Sequence, residues 1–295
     1  MQNVLLTLAI PFYENEQLLR KTVESVLEQS VSGWRLIISL DSKLSINFIT
    51  YLECLNDNRI LVIDNESKGI CENWNNCIDI VESEYMVILH SDDELAPDYI
   101  ATMLELIRSE PHNALYFCGA KIIDIKSQVT FSFSDKVKDF LKPSMGSIKL
   151  AGDEGLSSLL KGCFIFCPSI CYKTEVIKKY KFRKKWQMVL DLDLYARLLI
   201  DGYSFYGTNK KEYRYRRHDN NQTTKLTKDF KRFDEEVLLY NDLSIKAARL
   251  GWKNTEKIAQ KKSIIKLHLM FLMIKSILCL DFKRSYKIFS FLCNL

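Results

Sequence analysis

The sequence predicts an α/β fold in which helices cover both faces of a mostly parallel central sheet, followed by a helical extension at the C-terminus. Short apolar runs alternate along the chain with longer segments whose apolar residues recur at helical spacing, which is the pattern of strands joined by crossover helices. The chain has 295 residues, of which 47% are hydrophobic and 27% charged. This globular balance excludes a disordered chain and allows one large domain or two ordinary ones.

The first 125 residues divide into five predicted strands and four predicted helices. Each strand is an apolar run that ends at Pro, Asp or another turn former, and the first one stops at Pro11. In the first helix Leu19, Val23 and Val26 fall on one face. Further helices are predicted over 192–199, 230–250 and 264–280. The predicted strands are 4–10, 34–40, 59–63, 85–89 and 114–123, and the four helices are 16–29, 46–55, 70–81 and 97–107.

The basic charge of the chain lies almost entirely in its last 45 residues. Residues 251–295 contain nine Lys or Arg and two acids, whereas the other 250 residues contain 33 basic and 35 acidic groups. The body is therefore not expected to bind polyanions by charge. The tail is expected to meet an anionic surface, and its apolar content favours a membrane over nucleic acid.

The apolar helix at 264–280 allows two interpretations. It is shorter than a usual membrane span and contains Lys266, His268 and Lys275, so a transmembrane segment is not expected. It is either an interfacial helix on the inner membrane surface or a buried helix of a C-terminal bundle or homodimer. The nine cysteines and the absence of a signal-peptide pattern at the first residues predict free thiols and a cytoplasmic protein.

Three predicted strands deliver acidic or polar residues to their carboxyl ends, where open α/β sheets bind ligands. These residues are Tyr13 with Glu14, then Asp41, and then Asp92 with Asp93. The sequence has neither a GxGxxG turn after the first strand nor a GxxxxGK[ST] loop, which argues against a Rossmann dehydrogenase and a P-loop ATPase. A nucleotide could instead be held by acids and a divalent metal, and paired carboxylates suit Mn²⁺ or Mg²⁺.

Several runs resemble family 2 glycosyltransferases of the GT-A fold, of the bacterial surface-polysaccharide type. The first block consists of IPFYENEQLLRKTVESVLEQS, ISLDSK, KGICENWNN and EYMVILHSDDELAPDYI, and the second of CPSICYKTEVIKKYKF, VLDLDLYARLL and YRYRRHDNNQT. The resemblance covers residues 4–224. It implies a catalytic domain over 1–225, with a nucleotide half at about 1–125 and an acceptor half at about 126–225, and leaves 226–295 as the helical extension.

In the nucleotide half, the resemblance implies that Pro11, Tyr13 and Glu14 contact the nucleoside. Asp41 matches the acid that reads the base, usually uracil. In the DxD-type element, Asp92 matches the acid near the ribose. The resemblance assigns the metal to the next residue of that element, Asp93.

In the acceptor half, Asp191 matches the proposed catalytic base. His218 matches a late element at the metal or diphosphate, and Arg216, which begins that element, is a candidate diphosphate contact. Asp193 has another reading, because an acid in a first helical turn is favoured electrostatically and can pair with Arg197 four residues on. That reading leaves Asp191 to face the cleft.

The chain departs from the family pattern at three positions. His90 stands where many members have the first Asp of the metal-binding element. Trp74 replaces a common Arg, and Leu190 replaces the Glu that usually precedes the catalytic Asp. These substitutions change groups expected at the metal, the donor and the base.

The resemblance implies an inverting glycosyltransferase that depends on Mn²⁺ or Mg²⁺ and uses a nucleotide-diphospho-sugar, most often a UDP-sugar. A positioned carboxylate activates the attacking hydroxyl, and a metal ion stabilises the leaving diphosphate. The expected acceptor is a saccharide or a lipid-diphosphate-linked saccharide of surface-polysaccharide synthesis. Two alternatives stay open, a nucleotidyltransferase and a non-catalytic module that binds sugar nucleotides or membranes.

Overall fold

The structure, a computed structural model, describes residues 6–65, 68–130, 146–217 and 226–295. The predicted strands and helices of the first 125 residues are confirmed, and their ends differ from the prediction by at most two residues where they are described. The strands are β1 (Leu6–Phe12), β2 (Trp34–Leu40), β3 (Ile60–Asp64), β4 (Tyr85–Ile88), β5 (Glu94–Leu95), β6 (Leu115–Ile123), β7 (Ser147–Ala151), β8 (Ile170–Lys173) and β9 (Ser204–Arg216).

The helices of the described residues fall into a group that flanks the sheet and a group at the C-terminus. The first group is α1 (Glu16–Leu27), α2 (Ile46–Leu55), α3 (Ile70–Ile80), α4 (Tyr99–Ser109), α5 (Gly152–Lys161), α6 (Thr174–Tyr180) and α7 (Leu190–Ile200). The second group is α8 (Lys231–Leu250), α9 (Lys253–Lys261), α10 (Ser263–Leu278) and α11 (Phe282–Cys293).

The described strands form one sheet in the order β3-β2-β1-β4-β8-β6-β9-β5, with β7 paired to β9. β3, β2, β1 and β4 are mutually parallel, as the strand–helix alternation predicts. The second half of the sheet is mixed, because β8 inserts antiparallel between β4 and β6. The predicted α/β class with a central, mostly parallel sheet is confirmed, but β6 is not the next parallel neighbour of β4.

Helices cover both faces of the sheet because its strands are apolar on both sides. Along β2, Leu36 and Ile38 belong to one hydrophobic core and Ile37 to the other, which is the two-residue period of a strand. Residues of α1 and α4 fill the first core, and residues of α3, α5 and α7 fill the second. The resulting three layers fix the carboxyl ends of the parallel strands at one edge.

The C-terminal helices pack into the core of the second face. The Asp153 carboxylate accepts backbone hydrogen bonds from Asn254 at 3.0 Å and Thr255 at 2.7 Å, which holds the start of α9 against α5. Ile265 and Leu269 of α10 are buried in the same core as α5 and α7. The extension predicted at 226–295 is therefore helical and shares a core with the sheet domain.

Helix α10 has a buried side and an exposed side. Ile265 and Leu269 are buried, as a bundle helix requires, whereas Leu267, Phe271 and Ile274 are between 42% and 55% exposed. The helix thus carries apolar residues on a buried face and on an open one. Within the described ranges, no helix combines the length and the apolar content needed to cross a bilayer.

Candidate active site

Parallel pairing brings the carboxyl ends of β1, β2 and β4 to the same edge of the sheet. A cavity of about 2120 Å³ opens at this edge and extends to the C-terminal helices. The convergence predicted from the strand ends is therefore confirmed. Of the residues predicted for the site, those that line the cavity are Pro11, Tyr13, Glu14, Asp41, Asp92 and Asp191.

Asp41 directly follows β2 and is held by the loop that precedes α3. One carboxylate oxygen accepts a hydrogen bond from the Asn65 side-chain amide, and the other accepts one from the Gly69 backbone N–H at 3.2 Å. Gly69 has φ of 122°, a conformation that favours glycine. The loop thus fixes a carboxylate at the cavity wall, where it can accept hydrogen bonds from a ligand.

His90 is positioned by Trp74, which the sequence had marked only as a departure from the family pattern. The two rings stack with centroids 5.3 Å apart, and Trp74 also packs edge-on against Phe182. Burial lowers the pKa of His90, so the imidazole is neutral at pH 7. Its Nε2 is inaccessible to solvent and lacks a hydrogen-bond partner among the described residues. A neutral imidazole is a common metal ligand, and the nitrogen of His90 that faces the neighbouring carboxylates is Nδ1.

One ligand atom each from His90, Asp92 and Asp93 lies within 4.8 Å of the other two. This spacing fits a divalent cation, since His90 Nδ1 faces the carboxylates and lies 3.6 Å from Asp93 Oδ2. The mixed nitrogen and oxygen donors suit Mn²⁺ better than Mg²⁺. His90 and Asp92 line the cavity. Asp93 is only 1% exposed and is not among the lining residues. A substrate in the cavity could therefore meet Asp92 directly and Asp93 only through a bound cation.

Asp93 also connects the loop after β4 to strand β9. Its Oδ2 accepts a hydrogen bond from the Tyr213 hydroxyl at 2.8 Å, and its Oδ1 accepts one from the Arg216 backbone N–H at 2.7 Å. Burial and the neighbouring charge of Asp92 raise the pKa of Asp93 well above its ordinary value, while the bond from Arg216 opposes this rise. Asp93, which is predicted to bind the metal, thus also has a structural role as the acceptor of two hydrogen bonds from β9.

The diphosphate contact predicted for Arg216 is not supported by its position. The side chain is fully buried, and its guanidinium donates to the Glu94 carboxylate and, at 2.7 Å, to the Asp92 backbone oxygen. Burial of this ion pair explains why Arg216 faces the protein interior. Arg217, one residue on, lines the cavity instead. His218, predicted at the metal, lies outside the described residues.

Asp191 and Asp193 have different environments. Helix α7 begins at Leu190, two residues earlier than predicted, so both acids lie in its first turn. Asp193 is 4% exposed and accepts a hydrogen bond from Arg197 Nε at 2.8 Å, which confirms its predicted structural pairing. Asp191 lines the cavity, and its Oδ1 accepts a hydrogen bond from the Leu192 backbone N–H at 2.8 Å. Of the two acids, only Asp191 is therefore among the cavity-lining residues.

Glu235 of α8 holds the start of the helix that carries Asp191. Its buried carboxylate accepts backbone hydrogen bonds from Gln187 at 2.9 Å, Met188 at 2.7 Å and Val189 at 3.4 Å. These N–H groups precede α7, so the bonds fix the entry of the chain into the helix. Sequence reasoning missed Glu235, because one acid among the charges of an amphipathic helix carries no distinguishing signal.

The C-terminal helices form part of the cavity wall. Successive turns of α10 contribute apolar residues to this wall, and the end of α10 and the start of α11 contribute cations. The residues that give it this character are Ile264, Leu267, Phe271, Leu272, Lys275 and Arg284. The carboxylates of Glu14, Asp41 and Asp92 thus line the cavity at the sheet edge, and an apolar stretch followed by Lys275 and Arg284 lines it at the helices.

Comparison with known proteins identifies the family. The sequence model of the family described as Glycosyl transferase family 2 matches residues 7–160, which is more than half of the chain. The chain is 33% identical over 104 residues to WcaA of Escherichia coli (strain K12), named as a glycosyl transferase of colanic acid biosynthesis; the match covers 35% of this chain and 37% of WcaA. It is 22% identical over 183 residues to the Escherichia coli UDP-Glc:alpha-D-GlcNAc-diphosphoundecaprenol beta-1,3-glucosyltransferase WfgD, covering 62% of this chain and 65% of WfgD. The chain thus spans less than two thirds of each of these relatives.

Solved structures share the fold. The S. aureus TarS 1–349 complex with UDP-GlcNAc superimposes with a TM-score of 0.62 at 12% identity, covering 81% of this chain and 66% of the TarS 1–349 chain. The mannosyltransferase PcManGT from Pyrobaculum calidifontis, in complex with GDP-Man and Mn²⁺, superimposes with a TM-score of 0.56 at 12% identity, covering 89% of this chain and 70% of that one. At this identity the likeness establishes the fold.

Proposed function

The chain belongs to glycosyl transferase family 2, and we propose that it transfers a sugar from a nucleotide-diphospho-sugar to a saccharide acceptor with inversion at the anomeric carbon. The observation that carries this proposal is the convergence of Asp41, the His90–Asp92–Asp93 group and Asp191 on one cavity. These groups suit the three parts of the reaction, which are recognition of the nucleoside, stabilisation of the diphosphate and activation of a hydroxyl.

The donor is proposed to be a UDP-sugar bound at the sheet edge. Asp41 accepts hydrogen bonds from the base, and Tyr13, which is 65% exposed, lies over the nucleoside with Pro11 and Glu14. The named substrate of WfgD and the ligand of the TarS complex, both UDP-sugars, support this choice of nucleotide. Arg217 lines the cavity, and we propose it as a diphosphate contact instead of Arg216.

We propose that His90 and Asp92 hold a Mn²⁺ or Mg²⁺ ion from the cavity side and that Asp93 completes the group from beneath. When bound, the ion supplies Lewis-acid stabilisation of the leaving diphosphate. His218 stays a proposed ligand by resemblance alone, since the structure does not describe it. Asp92 also keeps its proposed contact with the nucleotide.

Asp191 is the proposed general base. It accepts the proton of the acceptor hydroxyl as the hydroxyl oxygen bonds to the anomeric carbon, and the bond from that carbon to the diphosphate oxygen breaks with its electron pair. One base and an attack opposite the leaving group give inversion. The hydrogen bonds that Glu235 accepts before α7, together with the Asp193–Arg197 pair, keep Asp191 in position.

The acceptor is proposed to be a lipid-diphosphate-linked saccharide of surface-polysaccharide synthesis, presented at the inner membrane surface. WfgD is named for such an acceptor. Apolar side chains of α10 and α11, such as Phe271, Ile274 and Phe289, are exposed beside basic residues, which suits peripheral contact of a cytoplasmic protein with an anionic membrane. A homodimer through the same helices is the alternative that fits the apolar surface.

The test is a titration of the full chain with UDP in the presence and absence of Mn²⁺, followed by a transfer assay. UDP- and GDP-sugars would be offered with a panel of prenyl-diphosphate-linked saccharides, and products detected by mass spectrometry. We expect metal-dependent UDP binding and a product whose anomeric configuration is opposite to that of the donor. Transfer of the nucleotidyl group, instead of the sugar, to the acceptor would contradict the proposal. Absence of any metal-dependent UDP binding would contradict it as well. Light scattering, with and without anionic vesicles, separates the dimer from membrane contact.

A further inference from the structure

The acceptor side of the cavity can be followed from Asp191 to the C-terminal helices through neighbouring groups. Cys167 and Asp191 both line the cavity. Burial raises the pKa of Cys167 well above its ordinary value, and the charge of Asp191 adds to this rise. Cys163 contributes to the same rise in pKa and also to that of Tyr240 in α8. All four residues line the cavity. The space in front of the proposed base therefore continues to α8.

The same space continues from α8 to α10. Arg232 of α8 forms an ion pair with Glu236 at 2.9 Å, and its charge adds to the burial that lowers the pKa of His268 in α10 to about 4. The His268 ring packs edge-on against Phe233, with centroids 5.2 Å apart. Because Arg232 is paired and His268 is neutral at pH 7, this part of the wall carries little net charge.

Beyond this neutral part, the wall presents cations. Lys275 near the end of α10 and Arg284 in the first turn of α11 both line the cavity, together with the buried Ser276. The Nε atom of Arg284 is inaccessible to solvent and has no hydrogen-bond partner in the described part of the chain. The carboxylate nearest in sequence, Asp281, accepts a hydrogen bond from the Arg284 backbone N–H at 3.0 Å and caps α11. Arg284 and Asp281 both line the cavity, and a guanidinium at a cavity wall can bind a phosphate ligand.

An apolar surface adjoins these cations. Large side chains of α10 and α11 are exposed between residues 267 and 289, and those with the largest exposed fractions are Leu278, Leu280, Phe282 and Tyr286. A ligand that joins a diphosphate to a long hydrocarbon would satisfy both features at once. It would place its charge at Lys275 and Arg284 and its chain along the apolar residues, while the sugar beyond the diphosphate extends towards Asp191.

We propose that Arg284 and Lys275 form a binding site for the diphosphate of a prenyl-diphosphate-linked acceptor, distinct from the donor site at the sheet edge. This inference rests on the proposed glycosyltransferase function, because it assigns one end of the acceptor-binding space. It adds the residues that recognise the acceptor anion and the helices along which the hydrocarbon lies.

The experiment uses the full chain saturated with UDP and Mn²⁺, so that the donor site is occupied, and titrates it with farnesyl diphosphate. We expect Arg284→Ala to weaken this binding by about tenfold or more, as loss of a charge-assisted contact does. Lys283→Ala is the matched control, because Lys283 is the adjacent, exposed cation that does not line the cavity; its affinity should stay within about twofold of the wild type. Arg284→Lys should fall between the two.

Parallel titrations with farnesol and with phosphatidylglycerol vesicles identify the ligand chemistry. The wild type should bind farnesyl diphosphate more tightly than farnesol, and Arg284→Ala should abolish that difference. Equal binding of the two probes by the wild type, or wild-type affinity in Arg284→Ala, would overturn the site. A loss confined to vesicle binding would assign Arg284 to lipid headgroups and likewise overturn it. UDP binding measured first on each variant reports separately on the proposed function.

Discussion

The division of labour between Asp92 and Asp93 can be tested by replacing each with alanine. Asp93→Ala leaves the Tyr213 hydroxyl and the Arg216 backbone N–H without their acceptor in a fully buried position. Each unsatisfied buried donor costs about 1–3 kcal/mol, so the free energy of unfolding should fall by about 2–6 kcal/mol. Asp92 is partly exposed at the cavity, and Asp92→Ala should change that free energy by less than about 1 kcal/mol.

Asp92→Ala should reduce metal-dependent UDP binding more than it reduces stability, whereas Asp93→Ala should mainly reduce stability. Asp92→Ala removes a cavity-facing ligand, so the part of the UDP affinity that depends on Mn²⁺ should disappear while the fold is retained. Asp93→Asn is the control that keeps one acceptor oxygen, and it should be more stable than Asp93→Ala. The measurements are urea denaturation and calorimetric titration of UDP with and without Mn²⁺. If Asp93→Ala unfolds like the wild type and has lost its metal dependence, Asp93 is primarily a ligand and the structural argument is refuted.

Three further predictions concern other parts of the site. Asp191→Asn should lower kcat by about 10²–10⁴ with unchanged UDP affinity, whereas Asp193→Asn should mainly lower the melting temperature. If Asp193→Asn is instead inactive and as stable as the wild type, the general base is Asp193. His90→Asp should shift the metal that best supports UDP binding from Mn²⁺ towards Mg²⁺, since Mg²⁺ prefers oxygen ligands, and an unchanged ratio of the two affinities would remove His90 from the metal site. The pKa of His268 is lowered from 6.5 to about 4, so its contribution to stability is complete above pH 6.5 and is lost as the pH falls towards 4. At pH 5 the loss should be about 2 kcal/mol in urea denaturation and absent in His268→Gln.

The sheet edge could be predicted from the sequence because its determinants are local. Apolar runs give the strands, helical periodicity gives the connections, and parallel pairing then places the residues after β1, β2 and β4 together. Asp41 and Asp92 reach the cavity for this reason alone. The pairing of Asp193 with Arg197 was equally accessible, because residues four apart on a helix are neighbours.

The position of Arg216 could not be predicted, because it depends on a contact between distant segments. The family resemblance makes Arg216 a candidate diphosphate contact, yet Arg216 is buried in an ion pair with Glu94, 122 residues earlier in the chain. The insertion of β8 between β4 and β6 could not be predicted either, because the pattern of strands along the sequence does not determine which strands pair. The cap that Glu235 forms on the residues before α7 belongs to the same class of non-local contact.

These contacts make the C-terminal helices part of the proposed active site. The helix that carries Asp191 is fixed at its start by Glu235, and α10 contributes both buried core residues and the cavity wall. Removing the extension would therefore expose core and release the proposed base, whereas the Asp41 loop and the His90–Asp92–Asp93 group draw their contacts from the sheet domain. The proposed donor site and the proposed acceptor site thus draw on different segments. We expect substitutions on the open face of α10 and α11 to alter acceptor binding and leave nucleotide binding unchanged, because they touch neither the strand ends nor the Glu235 cap.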